Sequence, residues 1–383
     1  MKITIWHNIM WSRYKAVVFS ALHRQARATN IDVNVYQIAE TDVNRTTLSP
    51  IDLKWHNYPF VLLFKGALSE IPTVKLYLKM AWLTWKNTAN VTILSGYERP
   101  VVWLQAAILK LKRKPFALFC DSTMYDQPPN LFKGIAKRVI FNSADGMFCY
   151  GQRAVQYVNH YGVPKDRIFI RRQAAALPDN YSEQLVVQQR ASMRSPSPRY
   201  LYVGRFSPEK SLPHLLQAFH GVVQSLPNSE LVLVGAGPTV ESLKALAAEL
   251  GIIDKVTFAG SKSGNQLFDE YLKATCLVLP SKSEPWGLVV NEALSFGCPA
   301  VVSHRCGCAP ELVRNEETGF IFEWGDIAQL TERLIVAPEV FSNASATTTA
   351  CLEQIAPFNP DSAAAGIIAG CLKISGRRSA ETI

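Results

Sequence analysis

The sequence predicts an α/β protein built from two doubly wound parallel-sheet domains. In both halves, short apolar segments typical of buried strands alternate with amphipathic helical segments, as in sheets covered by helices on both faces. Residues 178–199 interrupt this alternation with a polar stretch that carries Pro and Ser, and the pattern restarts at residue 200. A chain of 383 residues with 48% hydrophobic residues is long enough for two separate cores.

The first half opens with a β-α-β unit. Its strand, helix and second strand are predicted at residues 2–6, 14–27 and 31–36. In such sheets the loop after the first strand faces the ligand crevice, and here that loop carries His7, Asn8 and Arg13. It has no Gly-rich fingerprint, so a dinucleotide pyrophosphate is not expected at this turn. Asp121 directly follows a later predicted strand, residues 116–120, and is expected to line the same crevice or to cap the following turn.

The charge of the chain is unevenly distributed. Residues 1–190 hold 25 Lys and Arg against 12 Asp and Glu, whereas residues 191–383 hold 15 against 19, within a net charge of +9. A basic half indicates an anionic partner, which could be a membrane surface, a lipid-phosphate acceptor or nucleic acid. Nucleic acid is the weakest of these because no basic-aromatic RNA motif is present.

Residues 54–86 are both aromatic and basic. Within them, residues 74–86 predict a helix with lysines on one side and Trp, Leu and Met on the other. Such a helix suits the interface of a membrane, but a packed helix whose lysines extend to solvent has the same pattern.

The spacing of the cysteines and the sequence at the start of the chain indicate the cellular compartment. Eight Cys show neither a disulfide framework nor a zinc set, and Cys306 and Cys308 form the only close pair. There is no signal-peptide pattern and no apolar run of about 20 residues. We therefore expect reduced thiols, no bound metal and a cytoplasmic protein.

The second half places four polar or Gly-rich segments after successive predicted strands. They are Gly204-Arg205 with Lys210, the turn at residues 235–238 with Gly235 and Gly237, the segment 284–287 with Glu292, and residues 307–311. The carboxyl ends of parallel strands meet at one crevice. There, Arg205 could grip a diphosphate as a fork and Lys210 as a point charge.

The segment at residues 283–297 combines two carboxylates with a helix start. Glu284 lies in the predicted loop, and Glu292 lies in the second turn of a helix predicted at residues 288–296. Unpaired amides at a helix start attract anions, so the segment suits a ligand with hydroxyls at both ends and phosphate between, such as a nucleotide sugar. An ordinary βα turn with a solvated glutamate is the alternative.

Taken in order, four motifs resemble the retaining glycosyltransferases of family 4, which have the GT-B fold. The motifs are G-R-F-S-P-E-K, G-A-G-P, E-P-W-G-L-V-V-N-E-A and G-C-A-P-E-L-V, and the resemblance covers residues 200–335. It implies two Rossmann-like domains facing a cleft. Residues 1–185 would bind the acceptor, residues 195–355 would bind the nucleotide sugar, and a helix at residues 360–383 would cross back to the first domain.

The resemblance also implies roles for individual residues. Arg205 and Lys210 would neutralise the leaving diphosphate, Glu284 would contact the sugar, and Glu292 would bind the ribose hydroxyls. Backbone amides at the start of the helix would complete the donor site. The donor set is Gly204, Arg205, Lys210, Gly235, Gly237, Glu284, Trp286, Gly287, Leu288 and Glu292. No metal or cofactor is expected, because two cations and a helix start supply the positive charge.

Three positions depart from the family pattern. The usual Gly-Gly turn after the first strand reads His-Asn-Ile-Met-Trp at residues 7–11, which leaves His7, Asn8 and Arg13 as the acceptor-side candidates. Cys120 and Asp121 stand where the family often has a His, so Asp121 is the substitute candidate as base or sugar ligand. Ser211 stands where a Gly usually follows the phosphate-binding Lys.

The resulting expectation is a retaining hexosyltransferase that uses a UDP or GDP sugar. Asp121, Arg205, Lys210 and Glu284 form its catalytic set. Its acceptor would be a glycan or a polyprenyl-linked glycan in the synthesis of surface polysaccharide or lipopolysaccharide, and the protein would be peripheral at the inner face of an anionic cell membrane. A sugar-nucleotide epimerase or a synthase with a soluble acceptor on the same fold is the alternative.

Overall fold

A computed structural model describes residues 1–43 and 51–381, with only the backbone described at residues 131 and 377–381. The chain divides into two compact units. Unit 1 comprises Met1–Ala176 and Phe358–Ile383, and unit 2 comprises Leu177–Pro357. Each unit is built on one parallel sheet, so the predicted fold class is confirmed.

The sheet of unit 1 contains seven parallel strands within the described residues. They are β1 (Lys2–Ile9), β2 (Asp32–Thr41), β3 (Phe60–Ala67), β4 (Val91–Leu94), β5 (Phe116–Cys120), β6 (Gly146–Cys149) and β7 (Ile168–Ile170). Their order in the sheet is β3-β2-β1-β4-β5-β6-β7. The order reverses between β1 and β4, and in doubly wound sheets ligands bind outside the carboxyl ends of the strands near such a reversal.

Among the described residues, five α-helices lie in the connections between these strands. They are α1 (Arg13–Ala28), α2 (Thr73–Lys86), α3 (Pro100–Leu111), α4 (Leu131–Ser143) and α5 (Gln152–His160). Two separate apolar clusters form the core. One contains Leu76 of α2 and Val102 of α3, and the other contains Phe19 and Leu22 of α1.

The first strand is longer than predicted. His7 pairs with Gln37 of β2, and Ile9 pairs with Ala39. His7 and Asn8 therefore lie in β1 and not in the loop that the sequence predicts, because the pairing with β2 continues past Trp6. The strand β3, inside the aromatic and basic region, was not predicted at all.

The sheet of unit 2 has six parallel strands in the described chain. They are β8 (Arg199–Val203), β9 (Glu230–Val234), β10 (Val256–Gly260), β11 (Cys276–Leu279), β12 (Ala300–Ser303) and β13 (Gly319–Phe322). The order is β10-β9-β8-β11-β12-β13, so the reversal lies between β8 and β11. The loop with Arg205 and Lys210 follows β8, and the loop with Glu284 follows β11, so the two loops leave neighbouring strands.

Eight helices belong to unit 2. They are α6 (Glu183–Met193), α7 (Leu212–Ser225), α8 (Val240–Glu249), α9 (Asn265–Lys273), α10 (Leu288–Ser295), α11 (Ala309–Leu312), α12 (Ile327–Val340) and α13 (Ala344–Ile355). The sequence analysis predicts no helix within residues 178–199, and this is wrong, because α6 lies there. Arg190 of α6 is buried, and its guanidinium donates hydrogen bonds of 2.7 Å to the carbonyl oxygens of Tyr271 and Leu272. These bonds anchor a helix whose composition is polar.

The last helix, α14 (Pro360–Glu381), packs in unit 1 beside α1 and β6. Ile367, Cys371 and Ile374 are buried in the same cluster as α1. A Cβ atom added at Gly370 would lie 2.5 Å from the ring of Phe148, so a glycine here allows the helix to approach β6 closely. Residues 382 and 383 of the predicted last helix lie outside the described residues.

Two further observations concern the chain as described. All eight cysteines are buried, and none of them forms a disulfide. Among the described helices, none has both the length and the apolar composition needed to cross a bilayer.

Candidate functional site

The predicted donor residues gather at the carboxyl edge of the sheet of unit 2. Loops that follow β8, β9, β11 and β12 all leave this edge, because the strands are parallel. The loops after β8 and β11 lie side by side, since these two strands are hydrogen-bonded neighbours at the reversal. Lys210 and Glu284, which are 74 positions apart in the sequence, are thereby brought into contact.

Two of the predicted glycines allow the β8 and β9 loops to touch. A Cβ atom on Gly235, which has φ +142°, would lie 1.9 Å from the carbonyl oxygen of Gly204. A Cβ atom on Gly237 would lie 2.2 Å from the carbonyl oxygen of Phe206. The amide of Phe206 donates a 2.9 Å hydrogen bond to Ala236. These contacts exclude any side chain and fix the loop that carries Arg205.

Arg205 forms an ion pair within its own loop. Its guanidinium lies 2.7 Å from a carboxylate oxygen of Glu209, which also accepts a 2.6 Å hydrogen bond from the hydroxyl of Ser207. Burial raises the pKa of Glu209, but the hydrogen bonds from Ser207 and Arg205 outweigh it and lower that pKa to about 2. Glu209 is thus a stable anion that holds Arg205, a partner that sequence reasoning missed although the pair has i,i+4 spacing.

Lys210 pairs across the reversal with Glu284. The ammonium lies 2.5 Å from a carboxylate oxygen of Glu284, and the two side chains are only 17% and 16% exposed. The backbone holds them in place. The backbone carbonyl oxygen of Glu209 accepts a 2.9 Å hydrogen bond from the amide of Lys282. That of Glu284 accepts one of 2.8 Å from the amide of Gly307. The structure therefore brings together the two residues predicted for phosphate and for sugar.

The start of α10 is shaped by Trp286 and Gly287. The Trp286 side chain is buried, and its indole N–H donates a 2.7 Å hydrogen bond to Asn291 in the next turn. Gly287 precedes the helix with φ +101°, where a Cβ atom would lie 2.9 Å from Leu279. Trp286 therefore anchors the helix start. The predicted contribution of Trp286, Gly287 and Leu288 is limited to the backbone.

Glu292 lies one turn further along α10. One carboxylate oxygen accepts a 2.7 Å hydrogen bond from the hydroxyl of Tyr271 on α9. Burial, together with the charge of Glu292, raises the pKa of Tyr271 well above its usual value, so this hydroxyl keeps its proton and remains a donor. Glu292 is held in one orientation by a buried phenol.

Ser211 directly precedes α7 and has the left-handed backbone conformation, with φ +53°. This conformation favours glycine, which is the residue that the resemblance leads us to expect here. The serine hydroxyl accepts a 3.0 Å hydrogen bond from the indole of Trp324, whose ring lies 4.3 Å from the guanidinium of Arg305. Sequence reasoning gave no signal for Trp324, because it follows β13 outside the four motifs.

The remaining predicted residues belong to unit 1. His7 is buried, its Nδ1 lies 2.9 Å from Gln37, and burial followed by the charge of Lys15 lowers its pKa to about 3. Asp121 is exposed at the end of β5, and Arg13 is the first residue of α1. The side-chain oxygen of Asn8 is buried and has no hydrogen-bond partner among the described residues.

Across residues 1–43 and 51–381, no group of three or more His, Cys, Asp and Glu side chains is arranged to hold a metal ion. Two cations at the donor edge, Arg205 and Lys210, are each paired with a carboxylate. The edge therefore offers a ligand these cations, the carboxylates of Glu209, Glu284 and Glu292, and a helix start.

Part of the chain matches a known protein family. Residues 188–337 match the family model "Glycosyl transferases group 1". The chain is 30% identical over 218 residues to a D-inositol 3-phosphate glycosyltransferase of Nocardia farcinica, with 52% of this chain and 48% of that protein covered. It is 34% identical over 140 residues to the sulfoquinovosyl transferase SQD2 of Arabidopsis thaliana, with 36% and 26% covered. The chain thus spans about half the length or less of these curated relatives.

Solved structures resemble the whole chain. The apo form of the lipopolysaccharide outer core galactosyltransferase WaaB superimposes with a TM-score of 0.72 at 15% identity, covering 97% of this chain and 99% of that one. Alr3699/HepE of Anabaena in complex with UDP-glucose superimposes with a TM-score of 0.69 at 17% identity, covering 99% and 100%. At these identities the likeness establishes the fold, which is GT-B.

Proposed function

We propose that this protein is a retaining glycosyltransferase that moves a hexose from a UDP or GDP sugar to a glycan or polyprenyl-linked acceptor, in the synthesis of surface polysaccharide or lipopolysaccharide. The observation that carries the proposal is the Lys210–Glu284 pair at the β8–β11 reversal, inside the region that matches the glycosyltransferase model. The complex of Alr3699/HepE with UDP-glucose favours UDP sugars as the first donors to test.

On donor binding, the diphosphate would replace the carboxylates of Glu209 and Glu284 as the partner of Arg205 and Lys210. A diphosphate offers more negative charge to Lys210 than Glu284 does, so the ammonium shifts to the phosphate oxygens. The freed carboxylate of Glu284 then accepts hydrogen bonds from hydroxyls of the donor sugar. Arg205, half exposed beside Glu209, supplies a planar fork to the same diphosphate. Glu292, whose carboxylate accepts a hydrogen bond from Tyr271, would bind the ribose hydroxyls.

In the transfer step the bond between the anomeric carbon and the diphosphate oxygen breaks, and the electron pair leaves with the diphosphate. Lys210 and Arg205 stabilise the charge that develops on it. The acceptor hydroxyl forms the new bond on the same face of the sugar, and its proton passes to the departing phosphate. In this scheme no protein nucleophile is needed, and Asp121 stays a candidate for a contact with the sugar or the acceptor.

Two exposed apolar rows in unit 1 support a membrane-bound acceptor. On α2 the exposed residues are Val74, Leu78, Trp82 and Trp85, and on α4 they are Phe132, Ile135 and Val139. The ammonium of Lys86 lies 4.2 Å from the ring of Trp82. Apolar side chains at helical spacing beside lysines suit the interface of an anionic bilayer, where a polyprenyl-linked acceptor would be presented.

The test of the transfer is incorporation of sugar from radiolabelled UDP sugars and GDP sugars into a membrane extract. Lys210→Ala and Glu284→Ala should each lower incorporation at least 100-fold. Lys244→Ala and Glu241→Ala, which break an exposed ion pair on α8, are the matched controls and should leave it unchanged. Undiminished incorporation by the Lys210 and Glu284 variants would refute the site. Donor conversion without any acceptor would instead favour an epimerase.

The membrane contact is tested separately by flotation with vesicles that contain anionic lipid. Leu78→Ser together with Trp82→Ser should weaken binding several-fold, whereas Leu185→Ser, an exposed apolar residue on α6, should not. Equal binding by all variants would contradict the role of α2.

A further inference from the structure

Two buried cations lie together at the carboxyl edge of the sheet of unit 1. Lys15, in the first turn of α1, is 5% exposed, and Arg171, the residue after β7, is fully buried. Both lie against the same two aromatic rings. The Arg171 guanidinium is 4.2 Å from the ring of Tyr150 and 4.8 Å from that of Phe119, and the Lys15 ammonium is 4.8 Å and 5.1 Å from them. The rings bring the two positive charges close to each other.

No anion of the protein compensates these charges at ion-pairing distance. None of the ion pairs among the described residues involves Lys15 or Arg171, and all three guanidinium nitrogens of Arg171 are buried without a hydrogen-bond partner. Asp121 acts on Lys15 only from a longer distance, and it is exposed. Burial, followed by the charge of Arg171, lowers the pKa of Lys15 well below its usual value. Unpaired buried charges are among the costliest features a fold can carry.

Apart from the exposed Asp121, the ionisable groups described next to the pair are positive or neutral. The first turn of α1 contains Arg13 and Lys15 and no acidic residue, although the start of a helix favours acidic residues. His7 is neutral at physiological pH because burial lowers its pKa to about 3. Tyr150 is neutral as well, because burial raises its pKa well above its usual value. Cation–π contact with the rings covers the face of the guanidinium but satisfies none of its N–H groups.

We propose that Lys15 and Arg171 form an anion-binding site in unit 1 that takes a phosphate group of the acceptor substrate. The in-plane N–H groups of Arg171 match two phosphate oxygens, and Lys15 adds a point charge from the end of α1. The carboxyl edge of a doubly wound sheet is where ligands bind in such folds. The phosphate chemistry follows from the two cations alone, whereas the assignment to the acceptor rests on the proposed function.

The site is tested with inorganic phosphate as the probe, in the full chain carrying Lys210→Met so that the donor edge of unit 2 contributes little. Calorimetry and thermal shift in phosphate-free buffer should detect binding that Arg171→Met and Lys15→Met each weaken at least tenfold. Arg171→Lys keeps the charge and loses the forked guanidinium, so its phosphate affinity should lie between those of the parent and of Arg171→Met. Lys165→Met, an exposed lysine of the same unit, is the matched control.

Stability without phosphate separates a ligand site from a structural role. Because the charges are uncompensated, Lys15→Met should be as stable as its parent or more stable in phosphate-free buffer. If the Met variants are destabilised while phosphate affinity is unchanged, the cations are structural and the proposal is wrong. Lys15→Met and Arg171→Met test this independently, so one variant that fails to fold leaves the other decisive.

A last measurement identifies the source of the phosphate. In the chain without substitutions, phosphate binding that persists at saturating UDP, and that still requires Arg171, assigns the site to the acceptor side. Displacement of that phosphate by UDP would mean that the anion belongs to the nucleotide, which overturns the assignment. UDP binding that Arg171→Met retains shows an intact donor edge. Transfer that is absent despite Arg171-dependent phosphate binding would refute the proposed function and leave this site standing.

Discussion

Substitutions of the two members of the Lys210–Glu284 pair should have opposite effects on UDP affinity, although both break the same ion pair. In Glu284→Gln the side chain keeps its shape and loses its charge, and Lys210 stays in a place that is only 17% exposed. Loss of one partner costs about 3–5 kcal/mol in a buried pair and at most about 1 kcal/mol at the surface. We expect an intermediate loss of about 2 kcal/mol in the free energy of unfolding, because the remaining amide oxygen still accepts a hydrogen bond.

Binding of UDP should respond differently. Lys210→Met removes a charge-assisted hydrogen bond worth about 1.5–3 kcal/mol, so affinity should fall roughly 10- to 150-fold. Glu284→Gln removes the carboxylate that competes with the diphosphate for Lys210. Affinity for UDP should therefore be retained or rise, while the rate of sugar transfer falls.

Calorimetric titration with UDP, urea unfolding and the transfer assay measure these three quantities on the same samples. Lys244→Met and Glu241→Gln on α8 serve as controls, since their pair is exposed. An equal loss of UDP affinity in Lys210→Met and Glu284→Gln would refute the idea that Glu284 holds the lysine until the diphosphate arrives. Unchanged stability in both would show that the 2.5 Å contact contributes nothing in solution.

Three further predictions follow from single residues. Gly235→Ala would put a Cβ atom 1.9 Å from a carbonyl oxygen and should lower the free energy of unfolding, measured in urea, by about 3 kcal/mol or more. The control Gly376→Ala, in open space on α14, should raise that free energy by up to about 1 kcal/mol. Equal effects of the two substitutions would contradict the loop contact. The depressed pKa of Glu209 stabilises the fold above the unfolded value of 4.5, so the advantage of the wild type over Glu209→Gln should vanish as the pH falls from 4.5 through about 2, and an advantage independent of pH would refute it. Arg190→Met should lower the free energy of unfolding by about 2–4 kcal/mol, since it strips two buried carbonyl groups of their donor, and a neutral result in urea would show that water replaces them.

The donor edge could be predicted from sequence because its signals are local. The four polar or Gly-rich segments follow β8, β9, β11 and β12, as predicted, and α10 starts at the predicted residue 288. The glycines at residues 204, 235 and 237 mark backbone contacts that no side chain could enter. Which cation pairs with which carboxylate depends on side-chain geometry, and the Arg205–Glu209 pair was not foreseen.

Features that depend on distant parts of the chain were missed. The helix α6 has a polar composition, and only the carbonyl groups of α9 reveal why Arg190 is buried. The burial of Lys15 and Arg171 depends on Phe119 and Tyr150 at the ends of two other strands. A charged residue in a sequence is read as exposed by default, so a buried unpaired cation gives no signal until the strands are assembled.

The position of α14 has a consequence for the order in which the protein folds. Ile367 and Ile374 complete a core in which many members, such as Ile3 and Phe19, lie more than 300 residues earlier in the sequence. During synthesis that core stays incomplete until the last helix has been made, whereas unit 2 is one continuous segment with all its strands already available. Contacts of such long sequence separation form slowly because the loop that they close is large. Unit 2 should therefore acquire its protection from hydrogen exchange first, and unit 1 should acquire it only once α14 has packed.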